Sequence, residues 1–299
     1  MVNLVDSPLP HQMAAGDQNI EEDLFPEHVT KLSKSQAVTV RAAKKLEQQV
    51  VQIEMEFFAK IHALEAQYQH RFKDLSDKRA QLINGTLSVN EAEVSDVPII
   101  YNLHEKAAEQ IFQGLKDDDS VKGVPDFWLN VLQSCEATAV LIEESDVEIL
   151  KHLKNVDSEL IAEPMGAILR FHFGPNEYFE NTVLEQKVIY KLGPTDIFMF
   201  EGPNASSVEN TPIVWKAGKN PRDGGKKNQH SFFSIFDEKK EEDDMEDICE
   251  LMSIFREHII PHATLYFTGE LRDEDIDFSD SGSEGSSGGD DSENEVMEE

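Results

Sequence analysis

Between Pro26 and Gly85 the chain contains neither proline nor glycine, and from Gln36 to Asn84 it is rich in Ala, Leu, Glu, Gln, Lys and Arg. These are strong helix formers, so the stretch predicts one uninterrupted helix of roughly 70 Å at about 1.5 Å per residue. Its apolar positions are Leu46, Val50, Ile53, Phe57, Ile61, Leu64, Tyr68, Phe72, Leu75 and Leu82, with Arg79 in the one gap. The steps of three and four keep this stripe on one side of a nearly straight helix. So long a stripe needs cover of matching length. Either the helix lies across its own domain or it pairs with the same helix of a second chain, the arrangement favoured because an isolated helix gains most of its stability from burying such a stripe.

The remainder divides by composition. Residues 1–35 are polar and broken by Pro8, Pro10, Gly16 and Pro26, as in a mobile arm. The long helix occupies 36–88, closed by the Asn84-Gly85-Thr86 turn. An α/β body follows over 89–269. In KGVPDFWLNVLQ a helix is expected from near Pro125, with Phe127, Trp128, Val131 and Leu132 inward. In SDVEILKHLKN, Ser145 is the expected cap, with Glu148 three residues on, ahead of Ile149, Leu150 and Leu153. The period then shortens to two. Leu169, Phe171 and Phe173 alternate with Arg170 and His172, and Val188, Tyr190 and Leu192 with Lys187, Ile189 and Lys191, as in half-buried strands. No room for crossover helices separates the strands, so the sheet should be antiparallel. Helical segments return at SFFSIF and DICELMSIFREHII. The fold class expected is α+β: a long dimerisation helix, an α/β body whose antiparallel sheet is covered by helices, and a disordered acidic tail over 270–299.

Charge narrows the partners. The formal net charge is −32. Residues 237–247 hold eight acids and two lysines, and residues 270–299 thirteen acids and one arginine. Such a field points to a cationic partner and away from nucleic acid and anionic membranes, which bind Lys and Arg clusters. Candidate binding carboxylates are Glu241, Glu242, Asp243, Asp244, Glu246 and Asp247, then Asp273, Glu274, Asp275 and Asp277, with Ile276 and Phe278 as apolar anchors among them. Ser281, Ser287 and Ser292 each precede an acid by three positions, which suits phosphorylation by an acid-directed kinase. Cys135 and Cys249 are the only cysteines, too few for a disulfide framework, and with no signal-peptide pattern or long apolar run the expected location is intracellular.

No phosphate-cradling, dinucleotide-binding or nucleophile-elbow motif occurs, so no catalytic residue and no cofactor is expected. Glu257, His258 and His262 are the nearest approach to metal-ligand spacing, but Pro261 interrupts them and no HExxH pattern exists, so no metal is expected.

The strings LSDKRAQLINGT, KGVPDFWLNVL, ILKHLKNVDSEL, FHFGPNEYFENTVL, WKAGKN, HSFFSIF and FREHIIPHATLYFTGE, in that order, resemble successive landmarks of the nucleosome assembly protein family. The resemblance spans about residues 36 to 275. It implies a homodimer joined by the long helices, an acidic underside on each body, and a non-enzymatic histone chaperone that shuttles between nucleus and cytoplasm. Core histones, as either or both of their pairs, are the implied partners. The chain departs from the family between Trp215 and Phe232, where a longer basic tract and a Thr/Val-rich hairpin are reduced to KAGKNPRDGGKKNQHS; an import signal would rest on Lys226 and Lys227, and association of dimers through a hairpin is not expected. Two alternatives remain open: a relative from the phosphatase-inhibitor branch of the same fold, and an acidic coiled-coil scaffold. A third, a metal-dependent hydrolase, would depend on His258 and His262.

Overall fold

The computed structural model describes residues 26–101, 103, 107, 110, 113–116, 118, 120–194, 198–223, 230–238 and 242–271. The chain divides into two compact units, Met1–Val51 and Gln52–Glu299.

The first unit contains α1 (Glu27–Thr30) and the opening of α2 (Lys34–Ile83), the expected uninterrupted helix. It starts at Lys34 because Ser33 and Gln36 cap it reciprocally: Ser33 N–H donates to Gln36 Oε1 at 2.8 Å and Gln36 N–H to Ser33 Oγ at 3.3 Å. Two of the orphan donors of a helix start are thereby satisfied.

In the second unit α2 ends in a Schellman turn. Gly85 N–H donates to Leu82 O at 3.0 Å and Thr86 N–H to Gln81 O at 2.9 Å, with Gly85 at φ 66°. Only glycine adopts this left-handed conformation cheaply. The chain returns to the same place at Gly123 (φ 70°), whose missing Cβ would lie 2.1 Å from Ile83 O and 2.6 Å from Gly85 N. Val124 N–H then bonds Ile83 O at 2.8 Å. Gly123→Ala is therefore expected to cost at least about 1–3 kcal/mol from backbone conformation alone, with the clash in addition. A urea midpoint equal to that of the unaltered protein would contradict this reading of the contact.

The body continues with α3 (Phe127–Ser134), α4 (Glu136–Ala139) and α5 (Glu144–Leu150). Then come four antiparallel strands in sequence order, β1 (Leu153–Ile161), β2 (Gly166–Phe173), β3 (Val183–Lys191) and β4 (Asn204–Asn210). The 3-10 turn Phe232–Phe236, α6 (Glu242–Ser253), the π-helical segment Ile254–Ile259 and α7 (Ala263–Thr268) complete it.

One layer of side chains from the sheet meets the helices. Leu169, Phe171 and Phe173 on β2 and Leu184 and Val188 on β3 are buried there, and Phe171 takes Phe232, Phe236 and Phe255 edge-on at 5.3–5.7 Å. Such edge-to-face pairs add about 0.5–1.5 kcal/mol each beyond their area. Phe127, Trp128, Val131 and Leu132 of α3 face inward as expected, although the helix begins at Phe127, two residues beyond Pro125.

Three expectations change. The cap of α5 is Glu143, not Ser145, and its reciprocal partner is Asp146, not Glu148. The buried Asp146 carboxylate accepts from Glu143 N (3.1 Å), Ser231 Oγ (2.7 Å) and Phe232 N (2.7 Å), so a tertiary contact selects the capping register. Leu153 belongs to β1 rather than to the helix before it. On β3 the alternation slips after Ile189, where the register with β4 shifts, leaving Tyr190 half-buried. The interruption at Pro261 does occur: the π-helical segment ends at Ile259 and α7 starts at Ala263.

Candidate functional site

Two surfaces stand out, and α2 carries the first. From Gln52 onward it meets the body through one face only. His62 Nε2 lies 2.9 Å from Ile161 O, and its ring stands edge-on to Tyr190. Gln69 bonds Leu160 twice, its Nε2 donating to the carbonyl at 3.0 Å and its Oε1 accepting from the amide at 2.8 Å. Arg79 donates to Ile260 O at 2.6 Å with its guanidinium over the Trp128 ring, Asn84 donates to Lys154 O at 3.0 Å, and Glu65 pairs with Arg256 at 2.9 Å. Phe58 meets Phe200 edge-on, and Ala66 and Ile83 pack on the core.

At about 100° per residue these positions lie roughly a third of a turn from the apolar stripe, except Arg79, which stands in the gap of the stripe itself. The stripe therefore faces away from the body. Ile53 is 65% exposed, Phe57 63%, Phe72 69% and Leu75 65%, and Ile61, Leu64, Tyr68 and Leu82 are also exposed. In the first unit Leu46 and Val50 are exposed as well. Soluble chains rarely leave so long an apolar strip bare.

The second surface is the outer face of the sheet. The register sets Asp157 opposite Arg170, and Arg170 opposite Glu185. Arg170 is held by three carboxylates: Glu159 at 2.6 Å, Glu185 at 2.9 Å and Asp157 at 3.4 Å. His172 pairs with Asp157, and Lys187 with Glu209 at 3.1 Å. Burial pushes the Asp157 carboxyl up, but the His172 ring, Lys73 and Arg170 outweigh it and hold it below its ordinary value. Against Arg170 and Lys187 stand Asp157, Glu159, Glu185 and Glu209, so this face is acidic. Sequence reasoning passes over all four of these acids. The signal was present in β1, where Asn155, Asp157 and Glu159 alternate.

The acids expected from the charge runs are divided. Glu242, Asp243, Asp244, Glu246 and Asp247 fall in the first turns of α6, the helix whose Ile248 and Met252 are buried; Asp247 is exposed. Glu241, Asp273, Glu274, Asp275 and Asp277 lie outside the described residues, as do Ile276 and Phe278, Ser281, Ser287 and Ser292, and Lys226 and Lys227. His258 sits in the π-helical segment and His262 caps α7, its carbonyl accepting from Leu265 N at 2.9 Å. Among the described residues no group of three or more His, Cys, Asp or Glu is arranged to hold a metal ion, and no helix is long and apolar enough to cross a membrane.

Comparison with known proteins gives a consistent result. A family model described as Nucleosome assembly protein (NAP) matches residues 38–230. The chain is 31% identical over 304 residues to Nucleosome assembly protein 1-like 4 of Homo sapiens, covering 86% of this chain and 80% of that protein. It is 33% identical over 276 residues to Nucleosome assembly protein 1-like 1-A of Xenopus laevis, covering 80% and 70%. Its fold is similar to that of Nucleosome Assembly Protein 1 from Plasmodium knowlesi, with a TM-score of 0.50 at 24% identity over 81% of this chain and 100% of that one.

Proposed function

This chain belongs to the nucleosome assembly protein family, and from that premise we propose that it is a histone chaperone acting by binding alone. The chain pairs with a second copy through the α2 stripe. It binds core histones through acidic surfaces, shields them from non-nucleosomal contacts with DNA and so promotes nucleosome assembly. No catalytic step and no cofactor enter this scheme. The protein works in both nucleus and cytoplasm, with Lys226 and Lys227 contributing to import and phosphorylation of Ser281, Ser287 and Ser292 deepening the negative field.

The observation that supports this reading best is where the negative charge lies. Carboxylates dominate the outer face of the sheet, open α6, and continue past the last described residue, Leu271, with twelve acids and one arginine over 272–299. Histones bind DNA by neutralising phosphates, so loose histones settle on it in arrangements other than the wrapped one. An acidic competitor must hold them more tightly than stray contacts do and less tightly than correctly wrapped DNA, and then assembly still runs downhill. The body-attached carboxylates of Glu242 to Asp247 should count for more, charge for charge, than the tail.

The direct test is quantitative binding of both core histone pairs at physiological salt, together with assembly of nucleosomes on plasmid DNA. Failure to bind either pair more tightly than an unrelated basic protein would remove the proposal. Truncation after Leu271 should leave the fold intact, since Leu271 itself packs on the core and belongs to the body. Histone affinity should fall about tenfold or more at low salt, and its salt dependence should become shallower because fewer ion contacts are exchanged with solvent. An unchanged slope would confine histone binding to the folded body.

A further inference from the structure

Among the described residues of this acidic chain, lysines from four separate segments converge around the loop Gly174–Tyr178. Lys216 Nζ donates to Asn176 O at 2.7 Å. Lys219 pairs with Glu177 at 2.9 Å and stands 5.5 Å from the centre of the Tyr178 ring, which also meets the His152 ring at 5.9 Å. Gly174 N–H bonds His152 O at 2.8 Å, and a Cβ at Gly174 would lie 3.1 Å from Lys154 Cε. Lys154 in turn lines an open pocket of about 100 Å³ together with Lys122, Asp126 and Phe127. The field is felt locally: a hydrogen bond from Lys219, with further help from His152 and Lys216, holds the exposed Glu177 carboxyl below its ordinary value. The nearby acids are Glu177, Glu148 and Asp126, the last two acting on Lys151. Lys122, Lys154 and Lys216 are exposed and carry no carboxylate partner in an ion pair among the described residues.

The last described residue, Leu271, is linked to the margin of this patch through α7. Leu271 N–H bonds Leu265 O of α7, and Phe267 of α7 stacks at 4.9 Å on Phe127, which lines the pocket shared by Lys122 and Lys154. Residues 272–299 continue from there and hold twelve acids. Ten residues of chain span at most about 35 Å, so from Leu271 the acids from Asp280 onward have that order of reach. Tethering raises local concentration to the millimolar range, so weak ionic contacts suffice. A free polyanion such as DNA has no tether, must approach against the field of a chain of net charge −32, and finds lysines already diluted by three acids.

We propose that the acidic segment 272–299 docks on the cationic patch formed by Lys122, Lys151, Lys154, Lys216 and Lys219 when no basic partner is bound. Docking neutralises part of the tail's own repulsion and shields it from indiscriminate cations. Resting on the histone reading above, the consequence is a competition: a histone must displace the patch from the tail, so only a ligand more basic than five lysines engages it fully.

The test uses the full-length, histone-free protein and a zero-length carbodiimide reagent that joins lysines to carboxylates, with the links located by mass spectrometry. Links from residues 273–299 are expected at Lys122, Lys151, Lys154, Lys216 and Lys219, at least fivefold more often than at Lys60 or Lys187. They should fade in 0.5 M salt. In a Lys122→Gln, Lys154→Gln, Lys216→Gln variant, links to the retained Lys151 and Lys219 should fall at least fivefold. Isotopically heavy and light copies unfolded and refolded together, so that mixed dimers form, should give links within one isotope only. Links spread evenly over exposed lysines, links between isotopes, or an unchanged pattern in the variant would overturn the proposal. So would a short DNA duplex that binds the unaltered protein and not the variant while tail links are absent. Because no histone is present, this can fail while histone binding stands, and the reverse.

Discussion

A chain carrying Ile53→Asp and Leu64→Asp is expected to be a monomer at micromolar concentration, with its body intact, and the unaltered chain is expected to be a dimer. Both side chains are half or more exposed and neither belongs to the hydrophobic core. Replacing them removes nothing from the core, so circular dichroism and the urea midpoint of a dilute sample should barely move. In a dimer closed over the stripe the same two carboxylates would be buried opposite apolar partners, each costing several kcal/mol. A combined cost of about 5.5 kcal/mol is a factor of about 10⁴ in the dimer dissociation constant. Sedimentation equilibrium checks both halves of this statement. A monomeric unaltered protein, or a variant that dimerises as before, would exclude the stripe as the interface.

The second large effect concerns Asp146. Asp146→Ala should destabilise the fold by about 3–5 kcal/mol, because the buried amide of Phe232 and hydroxyl of Ser231 lose their acceptor and the α5 cap is broken at the same time. Each buried unsatisfied donor costs about 1–3 kcal/mol and a lost cap about 0.5–2 kcal/mol. Asp146→Asn keeps one oxygen but turns an N–H toward a donor, so an intermediate loss is expected. Phe232, Phe233, Ile235 and Phe236 all enter the core from this turn, so the loss should appear as earlier unfolding of the whole body in urea. A midpoint shift worth less than about 1 kcal/mol would mean that the turn is held by its phenylalanines alone.

Parts of this structure were legible in the sequence because their causes are local. The absence of glycine and proline over 27–84 specifies α2, and the period-two pattern specifies β2 and most of β3. The parts that escaped depend on partners remote in the chain. On β1 the inward Leu153, Val156 and Leu160 are interrupted by an irregular register near Lys154, and the outward Asp157 is buried as well, so no clean alternation marks the strand. β4 reads Asn-Ala-Ser-Ser-Val-Glu-Asn and carries little hydrophobic signal. The acidic sheet face is assembled from β1, β2, β3 and β4, and no single segment contains it. Likewise the stripe of α2 was legible, but the face that meets the body was not. Beside Phe58, Ala66 and Ile83, that face is held by His62, Gln69, Arg79 and Asn84, which hydrophobicity does not distinguish from solvent-facing residues.

The same polar attachments decide how the sheet can grow. A bare outer strand offers unpaired amides and carbonyls to any extended peptide, and adding a strand there is a common way to bind one. Along β1 the carbonyls of Lys154, Leu160 and Ile161 and the amide of Leu160 are already engaged by Asn84, Gln69 and His62. Helical side chains thus stand at both ends of the margin where a fifth strand would pair on β1, and they hinder extended segments from pairing there. On the function proposed above, a basic peptide lying along this margin would be recognised through its side chains and charge rather than by backbone pairing, which would leave its sequence free to vary.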